Sequence, residues 1–132
     1  IAFLNETKDK ENLNIKTAVY DINTANIQDN YDFILSTVVF MFLNRERVPS
    51  IIKNMQEHTN VGGYNLIVAA MSTDDVPCPL PFSFTFAENE LKEYYKDWEF
   101  LEYNENMGEL HKTDENGNRI KMKFATMLAR KK

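Results

Sequence analysis

The sequence predicts an α/β fold, half of a doubly wound sheet that is mostly parallel and closes with an antiparallel hairpin. Three observations predict it. Tyr31 to Val39 is a near-continuous apolar run rich in β-branched residues, as in a strand covered on both faces. A second such run, Tyr64 to Ala70, follows a helical pattern and Gly62-Gly63, which completes a βαβ unit with its right-handed crossover. The last third alternates in polarity around Asn116-Gly117, a strong short-range hairpin signal.

Taken in order, residues 1 to about 12 read as the end of a helix, with Ile1 and Leu4 on one face. Asn14 to Asp21 reads as a short strand ending on a carboxylate. Tyr31 to Val39 is the next strand, with polar Ser36-Thr37 near its end. In such sheets ligands bind in the crevice outside the carboxyl ends of the strands. Val48, Ile51, Ile52 and Met55 fall at i, i+3, i+4 and i+7, and Pro49 sits where a first helical turn tolerates it. Gly62-Gly63 are expected to reverse the chain. Between Met71 and Phe86 lies a Pro-rich loop of about 15 residues, long enough to suggest a lid or binding loop. Thr85 to Glu88 matches a capping box for a helix whose buried face is Leu91, Tyr94, Tyr95 and Trp98. Phe100 to Tyr103 and Ile120 to Phe124 are the hairpin strands. A two-residue turn at 116–117 would set Asp114 opposite Arg119 and Lys112 opposite Lys121.

Composition narrows the function. The 132 residues make one domain, and a net charge of −5 argues against a nucleic-acid binder, which needs clustered Lys and Arg against phosphates. The basic Arg130-Lys131-Lys132 reads as a solvated tail. No apolar run reaches the length of a membrane span. Cys78 is the single cysteine, so no internal disulfide can form, and no Cys/His spacing suggests zinc. A reducing cytoplasm is the expected location. The opening Ile-Ala-Phe-Leu, without an initiator Met, suggests an excised piece.

The segments Tyr31–Leu43, Gly62–Met71 and Gly108–Arg119, with the closing Phe124–Lys132, resemble the TehB family of tellurite-resistance methyltransferases. These belong to the class I S-adenosylmethionine-dependent methyltransferases, and the resemblance covers essentially the whole chain. It implies a Rossmann-like class I methyltransferase sheet lacking the first two strands, so that 1–132 is a partial methyltransferase domain. The family's glycine-rich cofactor loop and the acidic residue for the ribose are not in this sequence. In the family's sheet those two strands lie between the third, Asn14–Asp21 here, and the fourth, Tyr31–Val39. Open edges would then invite pairing with a second copy, and the chain alone is expected to be unstable, swapped or prone to aggregate.

The resemblance also implies roles. Asp21 would accept from the adenine amino group while Ile22 packs on the ring; read by itself, Asp21 is a solvated turn residue. Ser36, Thr37 and Val38 would face the methionine part of S-adenosyl-L-methionine, against an alternative in which the hydroxyls cap local backbone. Phe40, Met41 and Phe42 would wall the transferred methyl, or simply be core. His111, Lys112 and Arg119 would bind and orient a small anionic substrate, Arg119 by its bidentate fork and His111 as a proton shuttle. The competing reading is an exposed Asp114–Arg119 ion pair, and a flat strand would point His111 away from the other two. Cys78 reads as a passive loop thiol, and His58 as a cation at a helix end.

The implied reaction is methyl transfer to a tellurium or selenium oxyanion, small-molecule chemistry without nucleic acid or membrane. Its rivals are a non-catalytic interaction domain on the same scaffold and a methyltransferase for a small organic acceptor.

Overall fold

The computed structural model describes residues 2–18 and 21–132. Helix α1 spans Ala2–Glu11. The strand β1 (Tyr31–Thr37), helix α2 (Val48–Glu57) and strand β2 (Thr59–Ala70) form the βαβ unit, and a short helix α3 (Glu90–Tyr94) precedes the hairpin β3 (Glu99–Thr113) and β4 (Arg119–Arg130). The sheet has four strands in the order β1-β2-β4-β3. Only β1 and β2 are parallel, while β4 runs antiparallel to both its neighbours. The sheet is therefore mixed rather than mostly parallel.

Helix α2 buries the four residues whose spacing marked it, Val48, Ile51, Ile52 and Met55, with Pro49 in its first turn. They pack on one face of the sheet, where β2 and β4 supply Ile67, Ala69, Ala125, Met127 and Ala129. Small Ala side chains on paired positions such as Ala69 and Ala125 let the covering elements come close. Phe84 and Phe86 complete this core edge to face, with centroids 4.8 Å apart. Burying each large apolar side chain contributes about 1.5–3 kcal/mol. Within this layer lies a buried polar relay: the Thr59 hydroxyl bonds Asn65 Oδ1 at 2.9 Å, and Asn65 Nδ2 donates to the Tyr95 hydroxyl at 2.9 Å.

Several expectations need correcting. Residues 14–18 form no strand, because no neighbouring strand offers them a ladder; Val19 and Tyr20 of that expected strand lie outside the described residues. Strand β1 stops at Thr37 and Phe40–Phe42 form a 3-10 turn. The chain reverses at His58, not at the glycines. Gly62 and Gly63 sit inside β2, where the register against β1 jumps from Tyr31↔Thr59 to Phe33↔Tyr64. Gly62 has φ +86°, and a Cβ on Gly63 would stand 2.6 Å from the Asp32 carbonyl oxygen, so only glycine fits the crossing.

The Thr85 capping box does not form. The loop after Met71 returns at Phe86 through a parallel bridge, which holds Thr85 and Phe86 extended. The helix starts later, and the carboxylate of Glu90 accepts from the Ala87 amide instead, at 2.9 Å. The hairpin register also differs. Thr113 opposes Arg119 and Glu109 opposes Lys121, with an irregularity between Glu109 and Thr113. Asp114 caps the connection by accepting from the amides of Asn116 and Asn118.

The basic C-terminal residues are not a free tail. Arg130 lies in β4, and the Lys131 ammonium donates to the carbonyls of Gln56 and Thr59 at 2.7 and 2.9 Å, capping the end of α2. Among the described residues no helix is long and apolar enough to cross a membrane.

Candidate functional site

Two clefts open at the carboxyl end of β1. The first, about 330 Å³, is lined by Ile22, Ile34, Ser36, Thr37, Phe40, Asn54 and further apolar residues. Its walls are mostly hydrocarbon, with the two hydroxyls on the rim. It lies between β1, α2 and the segment 21–27. Asn54 fixes that segment: its side-chain oxygen accepts from the Ile27 amide at 2.7 Å and its amide nitrogen donates to the Ile27 carbonyl at 3.2 Å. Asn23 fixes the other side, accepting from the Asn44 amide at 2.7 Å, while Arg47 Nε donates to the Asn23 carbonyl at 2.8 Å.

Asp21 precedes the 3-10 turn Ile22–Thr24 and accepts from the Asn23 amide through Oδ1 at 2.9 Å. That is an Asx cap, and it aims Ile22 into the cleft. The second carboxylate oxygen takes no part in the turn. Ile22, Ser36 and Thr37 are thus brought together, at the same end of the sheet.

The second cleft, about 460 Å³, is lined by Val38, Val68, Asn104, Asn106, Gly108, His111, Phe124 and their neighbours. Gly108 makes room here: a Cβ on it would come within 2.8 Å of the Phe124 ring. Thr37 and Val39 line the first cleft, whereas Val38 lines the second. Its φ of +58° is left-handed, a conformation that β-branched residues avoid and that costs about 1–3 kcal/mol. The Val38 amide donates to the Val68 carbonyl at 2.7 Å, which holds the turn against β2. No pattern in the sequence marks this residue as strained, since two consecutive valines read as strand.

The irregularity in β3 brings His111 and Arg119 to one side. Arg119 Nη2 and His111 Nδ1 are 3.2 Å apart, and Arg119 Nε donates to the Leu110 carbonyl at 2.9 Å. The guanidinium meets Glu109 at 3.7 Å, not Asp114, and both partners are nearly half exposed, so this pair is weak. Lys112 is exposed and, among the described residues, makes no side-chain bond with either. Phe40 and Met41 are fully buried, as core residues are, while Phe42 is exposed and meets Phe82 edge to face. Cys78 is half-buried, its thiol near the Leu80 carbonyl. His58 caps α2, its Nδ1 3.0 Å from the Asn54 carbonyl.

Comparison with known proteins shows the family and the fold. The family described as "Tellurite resistance protein TehB" matches residues 1–128. A relative from Haemophilus influenzae (strain 10810), named "Probable S-adenosyl-L-methionine-dependent methyltransferase TehB", is 96% identical over all 132 residues, which make up 46% of its length. The crystal structure of TehB from Haemophilus influenzae superposes with a TM-score of 0.97 at 95% identity, over 99% of this chain and 46% of that one. An S-adenosylmethionine-dependent methyltransferase from Clostridium acetobutylicum, 12% identical, shares the fold alone, with a TM-score of 0.62 over 98% of this chain and 70% of that one. The chain therefore spans just under half of the Haemophilus relatives it matches. It belongs to the TehB tellurite-resistance family.

Proposed function

We propose that this chain is the acceptor-side part of an S-adenosyl-L-methionine-dependent methyltransferase acting on a small oxyanion of tellurium or selenium. One observation carries the reading: two clefts lie at the carboxyl end of β1, one apolar with two hydroxyls in its lining, the other lined by His111, whose Nδ1 stands 3.2 Å from Arg119 Nη2.

The first cleft fits the donor. Ile22 and the apolar wall suit an adenine ring, Asp21 keeps one carboxylate oxygen for an amino group, and Ser36 and Thr37 offer hydroxyls to the polar end. S-adenosyl-L-methionine, when bound, supplies an electrophilic methyl group on a sulfonium. The glycine-rich loop for the amino-acid end of the donor and the acidic residue for its ribose are not among these 132 residues, so this part is proposed to hold the donor incompletely.

The protein's task in such a displacement is alignment and charge placement. Arg119, steered by Glu109 and the Leu110 carbonyl, presents its fork beside His111 for the oxygens of an anion. Lys112 adds positive charge at the same strand without a fixed direction. A chalcogen oxyanion brings its own lone pair, so no strong general base is needed. Val38, Val68 and Phe124 give the reacting space an apolar lining.

Titration with S-adenosylhomocysteine tests the donor half. Two proteins are compared: this chain, and a completed chain in which it replaces the matching segment of the Haemophilus influenzae relative. Binding by the completed chain alone supports the reading; binding by neither favours a non-catalytic interaction domain. An acceptor screen with detection of volatile methylated product then tests the oxyanion against small organic acceptors. In the completed chain, Arg119→Ala is expected to lower turnover at least about tenfold while donor affinity stays within about twofold. An unchanged rate would remove Arg119 from the anion site.

A further inference from the structure

We propose that Asn54 is a positioning residue: its carboxamide clamps the segment that carries Asp21 and Ile22, and so sets how the first cleft meets the adenine end of the donor. The inference rests on the methyl-transfer reading and deepens it. Residues 21–27 belong to no strand or α-helix. They begin with a tight turn. The Asp21 side chain accepts from the Asn23 amide, and the Asp21 carbonyl accepts from the Thr24 amide at 3.0 Å and hydroxyl at 2.8 Å. Such a turn keeps its own shape, but its orientation depends on what holds it.

It is tied at two points. At Asn23 the ties are the Asn44 amide and Arg47 Nε, just ahead of α2. At Ile27 the tie is Asn54, seven residues after Arg47 and so about two helical turns along the same side. One planar amide there accepts from the Ile27 N–H at 2.7 Å and donates to the Ile27 carbonyl at 3.2 Å, as a ladder neighbour would. Among the described residues neither of these Ile27 groups takes a backbone partner. Asn26 Oδ1 stands 3.2 Å from the same Asn54 nitrogen and strengthens the grip. Without Asn54 the turn would pivot on Asn23. Ile22, Ile27 and Asn54 all line the first cleft, so that pivot would shift one wall against β1.

The test uses the completed chain and titration calorimetry with two ligands. One is S-adenosylhomocysteine, the other its inosine counterpart, in which a carbonyl replaces the adenine amino group. The parent should prefer the adenine form by at least about tenfold, because the counterpart turns a lone pair toward the Asp21 carboxylate. For Asn54→Ala, S-adenosylhomocysteine affinity should fall about tenfold and the preference should shrink below about threefold. Alanine is the better helix former, which keeps α2. Asn54→Leu, which retains the volume without the polar end, should show the same two losses; if one variant fails to fold, the other is read alone. A merely structural residue would lower the thermal midpoint and leave affinity and preference unchanged in the folded fraction. Affinity within about twofold of the parent, a preference that survives, or failure of both variants to fold would each overturn the clamp. A parent that does not bind S-adenosylhomocysteine sinks the methyl-transfer reading and the clamp together; a parent that binds both ligands alike sinks the clamp alone.

Discussion

The two faces of the sheet differ sharply. On one, α2, α3, Phe84 and Phe86 cover β2 and β4 so completely that Ile67, Ala69, Tyr95 and Met127 have no accessible surface. On the other, toward the β1 edge, Phe33 is 48% and Leu35 57% exposed, and Leu66 and Leu128 beside them are only partly covered. Stability is stored in the first region, and the candidate clefts open beside the second. The difference teaches that a chain can keep a well-packed half and still present a wide apolar stripe where ligands and other polypeptide approach.

The largest expected effect lies in the covered face. Tyr95→Ala removes a ring packed edge to face on Trp98 at 4.9 Å and orphans Asn65, and should cost about 4 kcal/mol in urea unfolding. A loss below about 1 kcal/mol would erase the contrast between the faces. Next is the junction between them: Gly63→Ala forces a methyl against the Asp32 carbonyl and should cost about 2 kcal/mol, read from the same transition.

Alkaline pH probes the same core with a smaller effect. Burial raises the Tyr95 phenol far above its ordinary range, against a weaker lowering from Asn65. The unfolded chain then releases this proton first, so stability is intact below about pH 10. Above it, about 1.4 kcal/mol is lost per pH unit until the folded phenol also ionises. Denaturant midpoints between pH 8 and about 11 check this, and Tyr95→Phe should flatten the decline. The smallest stability effect belongs to the open face. Leu35→Lys should change unfolding by under about 0.5 kcal/mol, yet shift the isolated chain from concentration-dependent association to monomer in sedimentation velocity. A monomeric parent would show that the stripe attracts nothing.

What the sequence made legible follows from locality. Helix α2 was readable because its four core contacts repeat at helical spacing and nothing in its neighbourhood opposes them. The apolar runs of β1 and β2 were readable for the same reason. Non-local demands were not readable. Residues 14–18 have strand-like composition, but a strand exists only where a partner supplies the ladder. The Thr85 box lost to the bridge between Met71 and Phe86, a contact across the whole loop. The hairpin register depends on an irregularity that no residue type announces, and that irregularity is what brings His111 to Arg119. The turn at Val38 was hidden most completely, because valine argues for the opposite conformation.

The amine of Lys131 spans from the final strand to two carbonyls at the foot of α2, the helix whose Ile51, Asn54 and Met55 wall the first cleft. A neutral group at that nitrogen, by acetylation or by Lys131→Met, would let the last turn fray and soften the cleft from behind. Affinity for a ligand could then be tuned at a position that the ligand never meets.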